Sequence, residues 1–311
     1  MENELLDNAS IILMDRLNQH PNLYRYLLLD PLKKVSCVNP LHLDNIQQAL
    51  GKDAIYPVLR RDLAYLPEYC PQLVLLASPG ERCEYQGLDE AENYARSEAL
   101  HEKRYFCACL ASTQGPALLA KFLAEQCNHF VESSFLAFFE PLRFELLHAM
   151  SPKESLAASL APISHWWYMT AAGELACQAG HDAEEKCRLN WLAEETQQHM
   201  PEIRQLLLAW QQVNSTLPSD AALQAAKAWG HTIKTGLIEK GDRYFLALNR
   251  LTLGVDIEAH PVSRNLLLQE VANPSQRFTK ILQALPDVIW QELKGQAQHK
   301  WNGVGVTPYG S

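Results

Sequence analysis

The sequence predicts an α+β fold, with an N-terminal mixed α/β lobe over residues 1–175 followed by an all-helical lobe over residues 176–300. Three observations lead there. Up to about residue 170, short apolar runs bounded by turn residues alternate with helix-patterned stretches, which is the pattern of strands separated by helices. Beyond residue 180, apolar residues recur every three or four positions instead, the period of a helix face. The chain of 311 residues also exceeds what one core usually organises.

The elements follow in order. Tyr24 to Asp30 reads as a buried strand ended by the turn signal Asp30-Pro31. Leu41 to Leu50 reads as a helix with Leu43, Ile46, Gln47 and Leu50 on one side, closed by Gly51. Ile55 to Leu59 and Leu73 to Ala77 are strand-like, and residues 89–102 are polar and helix-prone. Tyr105 to Ala111 returns to strand character, which would turn Cys107 and Cys109 to the same face. Gly115-Pro116 opens a helix whose buried stripe is Leu118, Leu119, Phe122, Leu123 and Phe130. Phe135 to Phe139 reads as an aromatic strand, and Pro141 starts a helix carrying Leu142, Leu146, Leu147 and Met150. Ser151-Pro152-Lys153-Glu154 has the form of a capping box, and Ile163 to Thr170 closes the lobe as a strand.

In the second lobe, Leu189, Leu192, Ile203, Leu206, Trp210 and Val213 mark a helical stripe that Pro201 should kink or split. A second helix follows Ser219-Asp220, and a third runs through Tyr244, Phe245, Leu248, Leu251 and Thr252. Phe278, Ile281, Leu282 and Leu285 give a fourth, stopped by Pro286. Residues 301–311 lack periodicity and read as a flexible tail.

Composition narrows the function classes. Apolar residues make up 47% and charged residues 20% of the chain, a mix that suits a packed protein and argues against disorder. The formal net charge of -9 repels phosphate backbones, and no dense Lys/Arg run supplies a local basic patch, so no nucleic-acid partner is expected. The start, MENELLDNAS, lacks the features of a secretory signal. No apolar run reaches the roughly 18 to 20 residues that span a bilayer. A cytoplasmic protein without stable membrane insertion is the expectation.

GxSxG, P-loop, HExxH and GxGxxG signatures are all missing. Ser112, Ser133 and Ser134 have no local activating partner. Eight scattered cysteines contain no CxxC pair; the nearest approach to a ligand set is Cys177, His181 and Cys187 with Asp182 close by, and its spacing is loose for one tetrahedron. Reduced thiols acting as small hydrophobes account for them better. Asp182, Glu184, Glu185, Glu194 and Glu195 read as a solvated helix face rather than an acid/base pair. His165, beside Trp166-Trp167-Tyr168, reads as structural. No catalytic residue, metal site or cofactor is therefore assigned.

The aromatic segments carry more. Neighbours on a strand point to opposite faces, so Trp166 and Trp167 cannot share one core. Either one of them lies on the lobe surface or against the helical lobe, where large aromatics favour protein interfaces, or both are buried, one on each side of the sheet.

These segments also bear a family likeness. From Tyr24 to about Leu175 their order resembles the N-terminal lobe of type VI secretion effector chaperones, the Tap or TEC adaptors. A proline-rich strand of that family is matched by Cys70-Pro71-Gln72-Leu73-Val74-Leu75, and its next strand and leucine-rich helix by Cys109 to Ser112 and Leu118 to Val131. A signature near RFYDPR is matched by Ala137-Phe138-Phe139-Glu140-Pro141-Leu142, with Ala137 and Leu142 in place of its arginines and Arg143 next door. A short helix, a turn and an aromatic strand resemble Leu146 to Leu160, Ala161-Pro162-Ile163 and Trp166-Trp167-Tyr168; Leu251 to Asp256 is similar to the family's second lobe. The resemblance implies a non-enzymatic adaptor that needs no cofactor and binds a secreted effector and a spike (VgrG-like) protein. It also implies a partner-binding surface bordered by Phe139, Glu140, Leu142, Arg143, Trp166 and Trp167. Two other readings stand beside it: an enzyme with a site built from non-local residues, and a structural tail or baseplate component.

Overall fold

The computed structural model describes residues 12–131, 135–181, 189, 191–254, 257, 260–272 and 277–302. The chain forms two compact units, Met1–Gln198 and His199–Ser311. An α+β architecture holds, with strands confined to the first unit and helices alone in the second among the described residues.

The first unit contains α1 (Ile12–Asn18), β1 (Tyr24–Leu29), α2 (Leu43–Leu50), β2 (Ile55–Pro57), β3 (Gln72–Ala77), α3 (Leu88–Ser97), β4 (Phe106–Ser112), α4 (Pro116–Gln126), α5 (Pro141–Met150), α6 (Lys153–Leu160), β5 (Ile163–Met169), β6 (Leu175–Ala179) and α7 (Trp191–Gln198). The six strands form one sheet of order β2-β3-β1-β4-β5-β6, every pair antiparallel. Leu27 of β1 sits opposite both Val74 of β3 and Cys109 of β4, at the centre of the sheet.

Side-chain alternation divides the core between two faces. Tyr26, Leu28, Leu73, Leu110, Trp166 and Tyr168 pack with Leu119 and Leu123 of α4, Phe144 and Leu147 of α5 and Leu156 of α6. Leu27, Val74, Leu76, Ala111, Trp167 and Met169 pack with Leu13 and Leu17 of α1, Ile46 of α2 and Leu88, Ala91 and Ala95 of α3. Helices thus cover the sheet on both sides. The cysteine pair departs from simple alternation: Cys107 joins the first cluster and Cys109 the second. The register shifts between Leu28 and Leu29, which face Ala108 and Phe106, and the bulge this creates at Cys107 turns the thiol over.

Three local expectations are corrected. The aromatic run Phe135 to Phe139 is not a strand; it is irregular chain leading into a turn, with the Phe138 amide bonded to the Leu136 carbonyl and the Glu140 amide to the Ala137 carbonyl. These tight local bonds satisfy the backbone without a ladder, which leaves the Phe138 and Phe139 rings free to enter the core. Ser151 does not cap α6: the cap position falls on Pro152, and the Ser151 hydroxyl is buried without a hydrogen-bond partner. The first unit also runs past residue 175, because β6 pairs with β5 and Arg143 ties α5 to Gln197 at the end of α7.

The second unit contains α8 (Met200–Val213), α9 (Ala221–Lys234), α10 (Lys240–Leu253), α11 (Pro261–Ala272), α12 (Phe278–Gln283) and α13 (Asp287–Asn302). Pro201 lies in the first turn of α8, and the expected split falls at His199. Ala221, Ala222, Ala225, Ala226 and Ala228 give α9 a small buried face beside Trp229. Gly254 ends α10 in a left-handed conformation, φ 63°, which glycine adopts without a Cβ penalty. Leu246, Leu267, Phe278, Leu282 and Leu293 form a second core around α10 to α13. The expected tail falls largely outside the described residues, at 303–311; positions 301 and 302 belong to α13.

Candidate functional site

Trp166 occupies the interior of the first unit, fully buried, stacked on Phe144 at 4.7 Å between ring centroids and 5.5 Å from Phe138. Trp167, 3% exposed, points into the opposite layer and stacks on His165 at 5.2 Å. Both tryptophans are core residues, one on each side of the sheet. Phe139 and Leu142 are buried as well. The surface expected from Phe139, Leu142, Trp166 and Trp167 is thus corrected: these side chains are covered by the helices over the sheet and do not border solvent.

Glu140 and Arg143 are the half-buried members of that set. Glu140 is the N-cap of α5, its Oε2 accepting the Arg143 amide at 3.0 Å, and its Oε1 lies 3.8 Å from Nε of Arg104. Arg143 donates through Nη1 to the Gln197 carbonyl at 2.9 Å and to Gln197 Oε1 at 3.2 Å, while Gln197 Nε2 donates back to the Arg143 carbonyl. Both residues hold helices in place.

Sequence reasoning missed the ionisable groups gathered at one end of the sheet. Arg104, 2% exposed, donates to the Met169 carbonyl at 2.9 Å. Glu98 accepts the Phe106 amide at 2.7 Å, and burial pushes its carboxyl up. Glu145 accepts the Ala171 amide at 2.7 Å, and burial pushes it up to about 7. Asp30 accepts the Leu32 amide at 3.0 Å and is raised by burial to about 6. Each carboxyl fastens a loop or strand end through backbone N–H, and desolvation favours the neutral form of all three. These residues lie 30 to 145 in the chain, a separation that no local motif could reveal.

His165 contacts His20 at 4.0 Å between ring centroids, and burial holds both imidazoles below the usual range. Its Nδ1 is buried without a hydrogen-bond partner, so stacking rather than hydrogen bonding holds the ring. Ser112 donates to the Pro162 carbonyl at 2.9 Å and accepts the Gln114 amide. Of the described cysteines, Cys37 is exposed, Cys177 half-buried and the others buried, and burial raises the Cys107 and Cys109 thiols well above their ordinary range. Among the described residues, no group of three or more His, Cys, Asp or Glu is placed to hold a metal ion. Asp182, Glu184, Glu185 and Cys187, together with Ser133, Ser134, Val255 and Asp256, lie outside the described residues. The same is true of the first ten residues. No described helix is long and apolar enough to cross a membrane.

Among the clefts lined by described residues is one in each unit. The first, about 530 Å³, lies between β2 and α4, with Tyr56, Pro57, Ala117, Ala120 and Ala124 as apolar lining and Arg61, Lys121 and Glu125 as charged lining. The second, about 500 Å³, lies among α8, α10 and α12 and is lined by Leu206, Ala209, Tyr244, Phe245 and Leu248 with Arg277 and Lys280. Both fall in the size range of recognition pockets. Neither includes Glu98, Arg104, Glu140 or Glu145 in its lining.

No protein-family model, curated protein or solved structure matches this chain. The candidate site therefore rests on the chain's own residues. The charged cluster can store a proton at a sheet end, and the clefts can receive apolar groups beside cations.

Proposed function

We propose that this protein is a non-enzymatic adaptor of the type VI secretion effector-chaperone kind, which binds a secreted effector and promotes its loading onto the spike protein. The observation that carries the reading is the serial order of segments between Tyr24 and Leu175 that resembles the family. In support, the turn and helix that hold the signature-like stretch and the aromatic strand meet in one stack of Phe138, Phe144, Trp166 and Tyr168. The segments that carry the likeness thus fold as one body, as a shared lobe requires. Apolar-lined clefts that reach solvent suit the holding of a polypeptide segment.

Co-expression with any large toxin whose gene lies beside its own, followed by size-exclusion chromatography, tests the proposal. Co-elution of the two chains as a stable complex is expected. Separate elution from every neighbouring toxin, or permanent incorporation into a finished particle, would sink it. An enzymatic reading draws on Glu145, whose carboxyl titrates near neutrality; a turnover lost in Glu145→Gln with the fold retained would favour it.

A further inference from the structure

The geometry points to a groove on α8 and α10 that docks an acidic amphipathic helix of a partner polypeptide. This deepens the adaptor reading and rests on it for the partner's biological role. Gly241, Tyr244, Phe245 and Leu248 lie along α10 at the i, i+3, i+4, i+7 spacing of one helix face. Yet Tyr244, Phe245 and Leu248 are only half-buried, and Gly241 is exposed. Across the cleft, Ala209 of α8 is half-buried above the buried Leu206.

An apolar row at helical pitch on α10, faced across the cleft by Ala209 and the exposed Gln205 of α8, makes a groove that takes the ridge of a third helix. An extended strand repeats its apolar groups about every 6.8 Å, which mismatches a row stepping at about 5.4 Å per turn. Small residues sit on both walls: a Cβ added at Gly241 would meet nothing within 4 Å. A partner backbone can approach closely there.

Charge selects the occupant. Arg277 and Lys280 stand exposed at the cleft, with no carboxylate in ion-pair range among the described residues. The acidic side chain of the cleft, Asp242, is 2% exposed and turned inward. Its two oxygens accept the Phe278 amide at 2.8 Å and the Thr279 amide at 2.9 Å and take the Thr279 hydroxyl, which anchors α12. The apolar row of α10 thus ends beside two cations without a carboxylate partner among the described residues, in a chain whose net charge is -9. A helix with an apolar face flanked by Glu or Asp complements this surface, and a basic one is repelled.

The test uses the full chain and a fluorescein-labelled helical peptide of about 16 residues, with Leu at i, i+3, i+4 and i+7 and Glu along one flank. A second peptide carries Lys in place of Glu, and a third carries a central Pro. Gly241→Trp fills the cleft from a position with room for a side chain, so the fold is kept; Gly230→Trp on α9, where an added Cβ also meets open space, is the matched control. The acidic peptide should bind saturably in fluorescence anisotropy, the Lys and Pro peptides at least about tenfold more weakly. Gly241→Trp should weaken binding by a similar factor and Gly230→Trp should leave it unchanged. Arg277→Glu with Lys280→Glu should transfer the preference to the Lys peptide. No saturable binding of the acidic peptide, equal binding of all three, insensitivity to Gly241→Trp, or uptake of dodecanoate at this cleft without any peptide binding would each overturn the groove. Failure here leaves effector co-elution intact, whereas failure of the adaptor reading abolishes co-elution with peptide binding untouched.

Discussion

In the first unit Phe138, Phe139, Phe144 and Trp166 are all sealed in one layer, whereas in the second unit Val213, Ile238, Leu268 and Val288 stand in solvent. The first unit is built on a sheet with helices on both faces, so nearly every residue of the inner strands β1, β3 and β4 meets a cover whichever way it points. Among the described residues the second unit has helices alone, and a helix must present some residues outward on every turn. Aromatic density in a sequence therefore locates the thickest part of the core, while surface available to a partner follows from where cover stops.

That contrast can be broken most severely at Trp166. Trp166→Ala removes the ring stacked on Phe144 and should cost about 3–5 kcal/mol, read as a lower urea midpoint of the first unit. A variant that keeps full stability would return Trp166 to the surface and erase the distinction between the units.

A smaller effect sharpens the comparison through pH. Buried, raised carboxyls are a feature of the first unit, with Glu145 at about 7 and Asp30 at about 6. A folded-state value above the unfolded one means the folded chain binds the proton more tightly. This stabilisation is complete below about pH 4 and is lost as pH rises through about 6 to 7. Glu145→Gln keeps an oxygen for the Ala171 amide and removes the charge. It should therefore flatten the loss between pH 5 and pH 8 by about 2 kcal/mol, measured by denaturation at both values. An unchanged slope would locate the titration elsewhere. Least of all should change in Ile238→Asp, where the side chain is 71% exposed; its thermal midpoint should correspond to less than about 0.5 kcal/mol of difference.

Strong local patterns were legible in the sequence and tertiary choices were not. The apolar runs at Tyr24 to Leu29, Gln72 to Ala77 and Ile163 to Met169 became strands, and Gly51 and Pro201 punctuated helices where their backbone chemistry required. The alternation argument also placed Trp166 and Trp167 on opposite faces. Whether a cover existed on each face depended on α1 to α3 and α4 to α6 together, which no window of sequence contains. Strand β6, Leu175–Ala179, escaped notice because its small, half-buried side chains give a weak alternation. Helix α11 escaped because Leu266, Leu267 and Leu268 are consecutive and blur its stripe. The partner surface inferred from the aromatics failed for the same reason that the core succeeded. The groove residues Tyr244, Phe245 and Leu248 were visible as a stripe, but half-burial is a property of their neighbours.

The sheet's outer margin at β2 carries a further consequence. This margin is only three residues long and ends in Pro57, which has no amide hydrogen to offer an incoming strand. Stacking of copies edge to edge finds almost no ladder to extend on that side. Copies of the protein can consequently accumulate together and resist joining into an extended sheet through this edge.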